Sequence, residues 1–164
     1  MKRETCRGEF ERAILYEVNC IEQEDATSLQ EVFVATIPEN YRDLLEKPIA
    51  VGLATVLPNG QPQVTPVWCD FDGTYIRVNT STSRQKYKDM LERPQVTVLA
   101  IDPANQYRYM EVRGTVARTS EEGADAHIDK LAHDYMGVDS YPMRNPAETR
   151  VICYIEPEKV IAQG

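Results

Sequence analysis

Histidine is scarce in this 164-residue chain, which holds only His127 and His133. They fall six apart on an expected helix, about 240° around it, so they cannot close on one metal ion. Asp129 and His133 lie four apart, but two ligands do not make a site, and no metal centre is expected. Cysteine is no richer. Cys6, Cys20, Cys69 and Cys153 are far apart and form no CxxC pair, which leaves a zinc or dithiol redox motif without support. They read instead as small buried hydrophobes. No GxSxG occurs, no Ser/His/Asp order points to a triad, and no catalytic side chain is singled out.

Long apolar runs are absent as well. None approaches the roughly 20 residues that a membrane helix needs. The start, "MKRETCRGEFERAILYEVN", has no apolar stretch of signal-peptide length. No membrane contact is expected, and the expected location is the cytoplasm. Cations are the minority, 18 Lys and Arg against 26 Asp and Glu, for a net charge of −8. That balance disfavours broad nucleic-acid binding, which needs a basic face.

What is present suits one domain with a real core: 42% hydrophobic and 27% charged residues are ordinary for a globular protein. Residues 1–35 stand apart, rich in Glu and without a clear period. They are expected to be an N-terminal extension. "VATIPENYRDLLEKP" from Val34 reads like a natural beginning, with Val from a GTG start codon, so residues 1–33 need not belong to the native protein. Residues 36–164 are then the single folded domain.

Along that domain, "PENYRDLLEKP" predicts a short helix between Pro38 and Pro48. "IAVGLATVL" and "QPQVTPVWCDFDG" predict a hairpin turned at Asn59-Gly60. "TYIRVNT" is a third strand, followed by a helix ending before Pro94. "QVTVLAID" and "YRYMEVRGTVARTS" are two more strands, and Gly114 within the second marks a bulge or bend. "EEGADAHIDKLAHDYMG" predicts a helix stopped by Gly137, with Ile128, Leu131 and Tyr135 on one face. Its acids Glu121, Glu122, Asp125 and Asp129 are expected on a solvated face. "RVICYIEPEKVIAQG" is the last strand. Six strands with two or three helices imply an α+β, mainly β protein, a six-stranded antiparallel split β-barrel with short flanking helices.

Two stretches carry the chemistry. In "NTSTSRQKYKDMLERP", Ser83 is expected to cap a helix whose first turn holds Arg84 and Lys86. Cations there oppose the helix dipole at roughly 0.3–1 kcal/mol each. Free N–H groups, a guanidinium fork and an ammonium together fit a phosphate. Asn79, Thr80, Ser81 and Ser83 would add hydroxyl and amide donors. A run of cations is more often a wet helix face, so this stretch alone does not decide. In "GQPQVTPVWCDF", Pro62 and Pro66 sit inside a strand pattern, which requires an edge or a bulge. Thr65, Val67 and Trp68 would then line a flat slot for a planar ligand.

Taken together, "LATVLPNGQPQVTPVWCDFDGTYIRVNTSTSRQKYKDMLERPQVTVLAID" and "YRYMEVRGTV" resemble the split β-barrel flavin and deazaflavin oxidoreductases related to pyridoxamine 5'-phosphate oxidase. The resemblance is to the branch described as coenzyme F(420)-dependent, and runs from about Thr36 to Gly164. It rests on the ordered T-P-V-W, the N-T strand end, S-R-x-K and R-x-P.

The resemblance implies a site. Arg84 and Lys86 occupy the positions that hold the cofactor phosphate. Asn79, Thr80 and Ser83 fall where ribityl and phosphate oxygens are met, and Thr65, Pro66, Val67 and Trp68 where the strand flanks the ring system. Homodimers with cofactor sites at the interface are implied, with Tyr107 and Tyr109 coming from the second subunit. The implied cofactor is coenzyme F(420), with FMN as the alternative, passing a hydride to or from a small organic substrate. Arg77 and Lys88 are further candidates for the acidic tail of coenzyme F(420). The chain ends at "EPEKVIAQG" without the segment that vitamin B6 oxidases carry, so binding of pyridoxal phosphate is not implied. Two rival readings are a non-catalytic protein that carries a flavin or haem, and an acidic barrel used for protein interaction.

Overall fold

The computed structural model describes residues 35–164. The extension expected over 1–35 therefore lies, Ala35 apart, outside the described residues, as do Cys6 and Cys20. The chain enters through a 3-10 turn, Glu39–Tyr41, and a one-turn helix α1 (Asp43–Glu46). It then forms β1 (Val51–Val56), β2 (Pro62–Val67), β3 (Cys69–Phe71) and β4 (Ile76–Ser81). Helix α2 (Gln85–Glu92) leads into the long hairpin β5 (Gln95–Asp102) and β6 (Asn105–Ser120). Helix α3 (Ala124–Met136) and β7 (Arg150–Gln163) complete it.

All pairings are antiparallel, in the order β2-β1-β5-β6-β7-β4-β3. This order dictates the shape. β2 and β3 are the two edges of a seven-stranded sheet, yet a single residue, Trp68, joins them. A flat sheet would place its edges far apart, at about 4.8 Å per strand step. The sheet therefore curls until its edges meet at Trp68, leaving a split that no ladder closes.

Seven strands replace the expected six because "QPQVTPVWCDF" is not one strand. Up to Val67 it pairs with β1, and from Cys69 it pairs with β4. Pro62 and Pro66 lie on an edge strand, as a missing N–H demands. No bulge accompanies them, for the β1–β2 register runs unbroken from Val51 opposite Val67 to Val56 opposite Pro62. The bend at Gly114 is present: the β6–β7 register shifts between Arg113 and Gly114. A Cβ at Gly114 would fall 2.2 Å from the Glu156 carbonyl oxygen, so only glycine allows the strands to approach this closely.

Alternate residues of the strands fill the curl, including Val51 and Leu53, Ile76 and Val78, Val96 and Val98, Met110 and Val112, and Cys153 and Ile155. Leu44 and Leu45 of α1 belong to the same core. Arg108 anchors that helix through Asp43 and the Asn40 carbonyl, while also pairing with Asp102. The two described cysteines, Cys69 and Cys153, are free and buried, and burial pushes each thiol up to about 12. On the outer face of β4 and β7 lies α3, with Ala124, His127, Ile128, Leu131 and Ala132 buried beneath it.

Candidate functional site

The split opens into a cleft of about 320 Å³, at the small end of the range common for ligand pockets. One wall is the end of β2 and the link after it, Pro66, Val67 and Trp68. The other is the end of β4, Asn79 and Thr80, with Arg84 and Lys86 at the start of α2. Ile128 of α3, Tyr141 and Met143 of the loop after it, and Arg150 at the head of β7 complete the lining. Among the described residues, three cations line the cleft and no carboxylate does, in a chain whose net charge is −8.

The start of α2 differs from expectation in one detail. Arg84, in an extended conformation, takes the cap position and Lys86 is the second helical residue. Ser83 does not cap; its hydroxyl lies 2.7 Å from that of Ser81. A serine can cap only from the residue flanking the first turn, and the helix begins one residue later. Among the described residues no side chain caps this end, so its backbone N–H groups stay available to an anion. Lys86 is half-buried, and desolvation, with Arg84 alongside, lowers its pKa. A half-buried cation beside a second one, the exposed Arg84, is costly unless something neutralises it.

The flat wall is built from aromatics. Trp68 stacks on Tyr135 with ring centroids 5.0 Å apart and meets Tyr141 edge-on at 6.0 Å. The Tyr135 hydroxyl seals the split beside it. It accepts from the Cys69 N–H at 3.1 Å and lies 3.0 Å from the carbonyl oxygens of Ile49 and Cys69, one of which takes its proton. Burial raises the pKa of Tyr135, which makes this hydroxyl a structural tie rather than an acid. Above Trp68, the Arg150 guanidinium sits 4.5 Å from the Tyr141 ring centroid.

The loop that brings Tyr141 and Met143 is held by acids expected to be merely solvated. Arg144 bonds Asp129 through two contacts, 2.7 and 2.8 Å, and also pairs with Asp125. Asp129 further accepts from the Tyr141 N–H at 2.8 Å. The loop ends by turning into β7, so carboxylates on α3 are within its reach.

Of the expected residues, Pro66, Val67, Trp68, Asn79, Thr80, Arg84 and Lys86 come together in the cleft. Thr65 lies next to the wall but faces inward opposite Leu53, its buried hydroxyl without a partner. Ser83 is outside the lining. Tyr107 and Tyr109, assigned to a second subunit, lie on β6, away from this chain's own cleft. Tyr107 is 71% exposed, and the Tyr109 hydroxyl donates to Gln163. Arg77 is not free for a ligand, since it grips Asp70 through two bonds of 2.7 and 2.8 Å. Lys88 is exposed.

The family model described as pyridoxamine 5'-phosphate oxidase matches residues 37–164. The chain belongs to that family. Among solved structures, an F(420) reductase is 39% identical, with a TM-score of 0.68, 76% of this chain covered and 98% of that one. A conserved hypothetical protein from Mycobacterium tuberculosis is 22% identical, at a TM-score of 0.61 over 79% and 86% of the two chains. HupZ of Group A Streptococcus is 20% identical, at 0.55 over 77% and 93%. The last two are similar in fold alone. Comparison with curated proteins gives no match. Among the described residues, no helix is long and apolar enough to cross a membrane.

Within the pyridoxamine 5'-phosphate oxidase family frame, the lining residues that sequence reasoning missed are Ala50, Ile128, Tyr141, Met143 and Arg150. Arg150 had a readable signal. It opens a strand that pairs with β4, and the register places it opposite Ser81, beside the basic helix.

Proposed function

We propose that the cleft holds the phosphate of coenzyme F(420) and that the protein is an oxidoreductase using it. The observation that carries this reading is the lining itself: Arg84, Lys86 and Arg150 with, among the described residues, no carboxylate. Such a set favours a polyanion, and its partial desolvation strengthens the attraction over that in bulk water. The donor set fits the group. The three cations would take the phosphate, the Thr80 hydroxyl and the Asn79 amide the chain of oxygens beside it, and the wall from Pro66 to Trp68 the flat ring.

When bound, the cofactor supplies the hydride chemistry, which accounts for the missing triad or acid pair. The protein binds, orients and shields. Trp68 and Ile128 present apolar surface, and Tyr141 and Met143 narrow the mouth against water. The substrate is a small organic molecule placed against the exposed ring. A second copy of the chain would complete the site, bringing Tyr107 and Tyr109 to its mouth. The exposed apolar residues Val64, Leu99, Ile101 and Ile161 on the strands β2, β5 and β7 suit such a homodimer.

The 39% identity to an F(420) reductase favours the deazaflavin. The family's description favours FMN as the second reading, since both ligands share ring, polyol and phosphate. A fluorescence titration of ligand-stripped protein with each cofactor tests both. Tight binding of coenzyme F(420) with weak binding of FMN is expected. A preference for FMN moves the protein to the flavin reading, and binding of neither removes the oxidoreductase reading.

A further inference from the structure

Beneath the cleft lies a chain of side chains that the binding reading leaves unused. Asp70 of β3 is buried and receives four donors: Arg77 Nε and Nη2, Lys130 Nζ at 3.2 Å, and His127 Nε2 at 3.1 Å. His127, buried on α3, faces Asn79 of β4 with its other nitrogen, 3.4 Å from Asn79 Nδ2.

The hydrogen-bond logic fixes every orientation in this chain. The carbonyl oxygen of Ala124 lies 2.7 Å from the Asn79 amide and can only accept, so the amide atom facing it is the nitrogen. That nitrogen is the one nearest His127 Nδ1, so Nδ1 must be the unprotonated, accepting atom. The ring proton then sits on Nε2 and points at Asp70. With both amide protons turned toward Ala124 and His127, Asn79 turns its oxygen to the cleft wall, with acceptor capacity left beyond its contact with Arg150. That oxygen lies 3.4 Å from Arg150 Nη1, on the cleft wall.

We infer that His127, backed by Asp70, is a positioning residue that makes Asn79 an acceptor in the cleft, so that it takes a hydroxyl of the ligand's polyol chain. This deepens the cofactor reading and rests on it. It also reverses the expectation from the sequence, in which Asn79 was an amide donor beside the phosphate. An acceptor oxygen repels a phosphate and suits a hydroxyl, so Asn79 recognises the part of the ligand that inorganic phosphate lacks. Asp70 keeps His127 in the one tautomer that allows this.

Two substitutions separate positioning from packing. His127→Phe keeps a ring of similar size but offers Asn79 no acceptor. His127→Gln can accept from Asn79 and donate to Asp70, as the neutral imidazole does. Dissociation constants would be measured for coenzyme F(420), FMN and inorganic phosphate, with thermal unfolding as the check on folding. For the cofactor that the wild type prefers, His127→Phe is expected to weaken binding about tenfold, the scale of one hydrogen bond. Its affinity for inorganic phosphate is expected to stay unchanged, and His127→Gln to restore most of the loss. Nitrogen-detected spectra of the ligand-free wild type should show Nδ1 as the unprotonated nitrogen of His127. The inference is overturned if Nε2 is the bare nitrogen, if both variants bind the cofactor like wild type, or if both lose it equally. A wild type that binds no cofactor overturns the binding reading, and this inference with it.

Discussion

Arg144, in the loop after α3, reaches back along that helix to hold Asp129 with both oxygens in range, at 2.7 and 2.8 Å. The pair fixes the loop that places Tyr141 against Trp68, though neither partner touches the cleft. Arg144→Ala should therefore act at a distance. Solvent and salt screen an exposed ion pair so strongly that it contributes little to stability, so the midpoint of thermal unfolding should barely move. Trp68 is the chain's single tryptophan, and its emission should change as Tyr141 loosens. Unaltered emission, with no new protease cut between α3 and β7, would mean the loop holds its place without Arg144.

Arg84→Ala and Lys86→Ala should each weaken cofactor binding by about 1–3 kcal/mol, the scale of a charge-assisted hydrogen bond. The ligand-free variants should unfold at the same temperature or slightly higher, because each removes a cation from the positive end of α2. Titration calorimetry and thermal melts check both halves. Wild-type affinity in both variants would remove the phosphate site.

Lys86 also predicts a pH dependence. Its pKa in the free protein is lowered by desolvation and by Arg84, from an ordinary value of 10.5, and a bound phosphate raises it again. Binding therefore takes up protons between those two values. Affinity for inorganic phosphate should be full below the lowered value and fall as pH rises through it, before 10.5 is reached. Lys86→Arg keeps its charge throughout, so it should flatten the curve. A wild-type profile that stays level up to 10.5 would contradict the assignment.

Asp70 predicts the opposite end of the scale. Burial pushes its carboxyl up, but the hydrogen bonds from His127 and Arg77 outweigh burial and hold it well below the ordinary 3.8. A depressed carboxylate contributes stability that is full above 3.8 and is lost as pH falls toward its lower folded value. Asp70→Asn should thus be less stable than wild type near neutrality and lose less on acidification below 3.8. Urea midpoints across that range measure it, and parallel curves for the two proteins would contradict it.

The parts of the site that were legible in the sequence are those the chain writes contiguously. Trp68 follows a proline-broken edge, and Arg84 and Lys86 stand two apart on one helix turn. Arg150 and Tyr141 join them only through long-range pairing: Arg150 by its register against Ser81, and Tyr141 by the hold of Asp129 on its N–H. The sequence offers His127 only as half of a histidine pair that helix geometry keeps off one metal ion; its partners, Asp70 and Asn79, come from two different strands and leave no local signal. The strand count missed by one for a similar reason. A strand that changes partners at Trp68 keeps its alternation on both sides, and periodicity does not register the change.

That change of partners at Trp68 gives the molecule a hinge of its own. β2 and β3 stand at opposite ends of the strand order and share one covalent link, and the cleft runs from β2 to β4 beside β3, so a ligand touching both walls acts as a clasp on an open ring. Its grip would be felt less in the centre of the sheet than at the rims. Amide exchange in β2 and β3 should slow on binding far more than in β5 and β6, and the cofactor would thereby become part of what keeps the barrel shut.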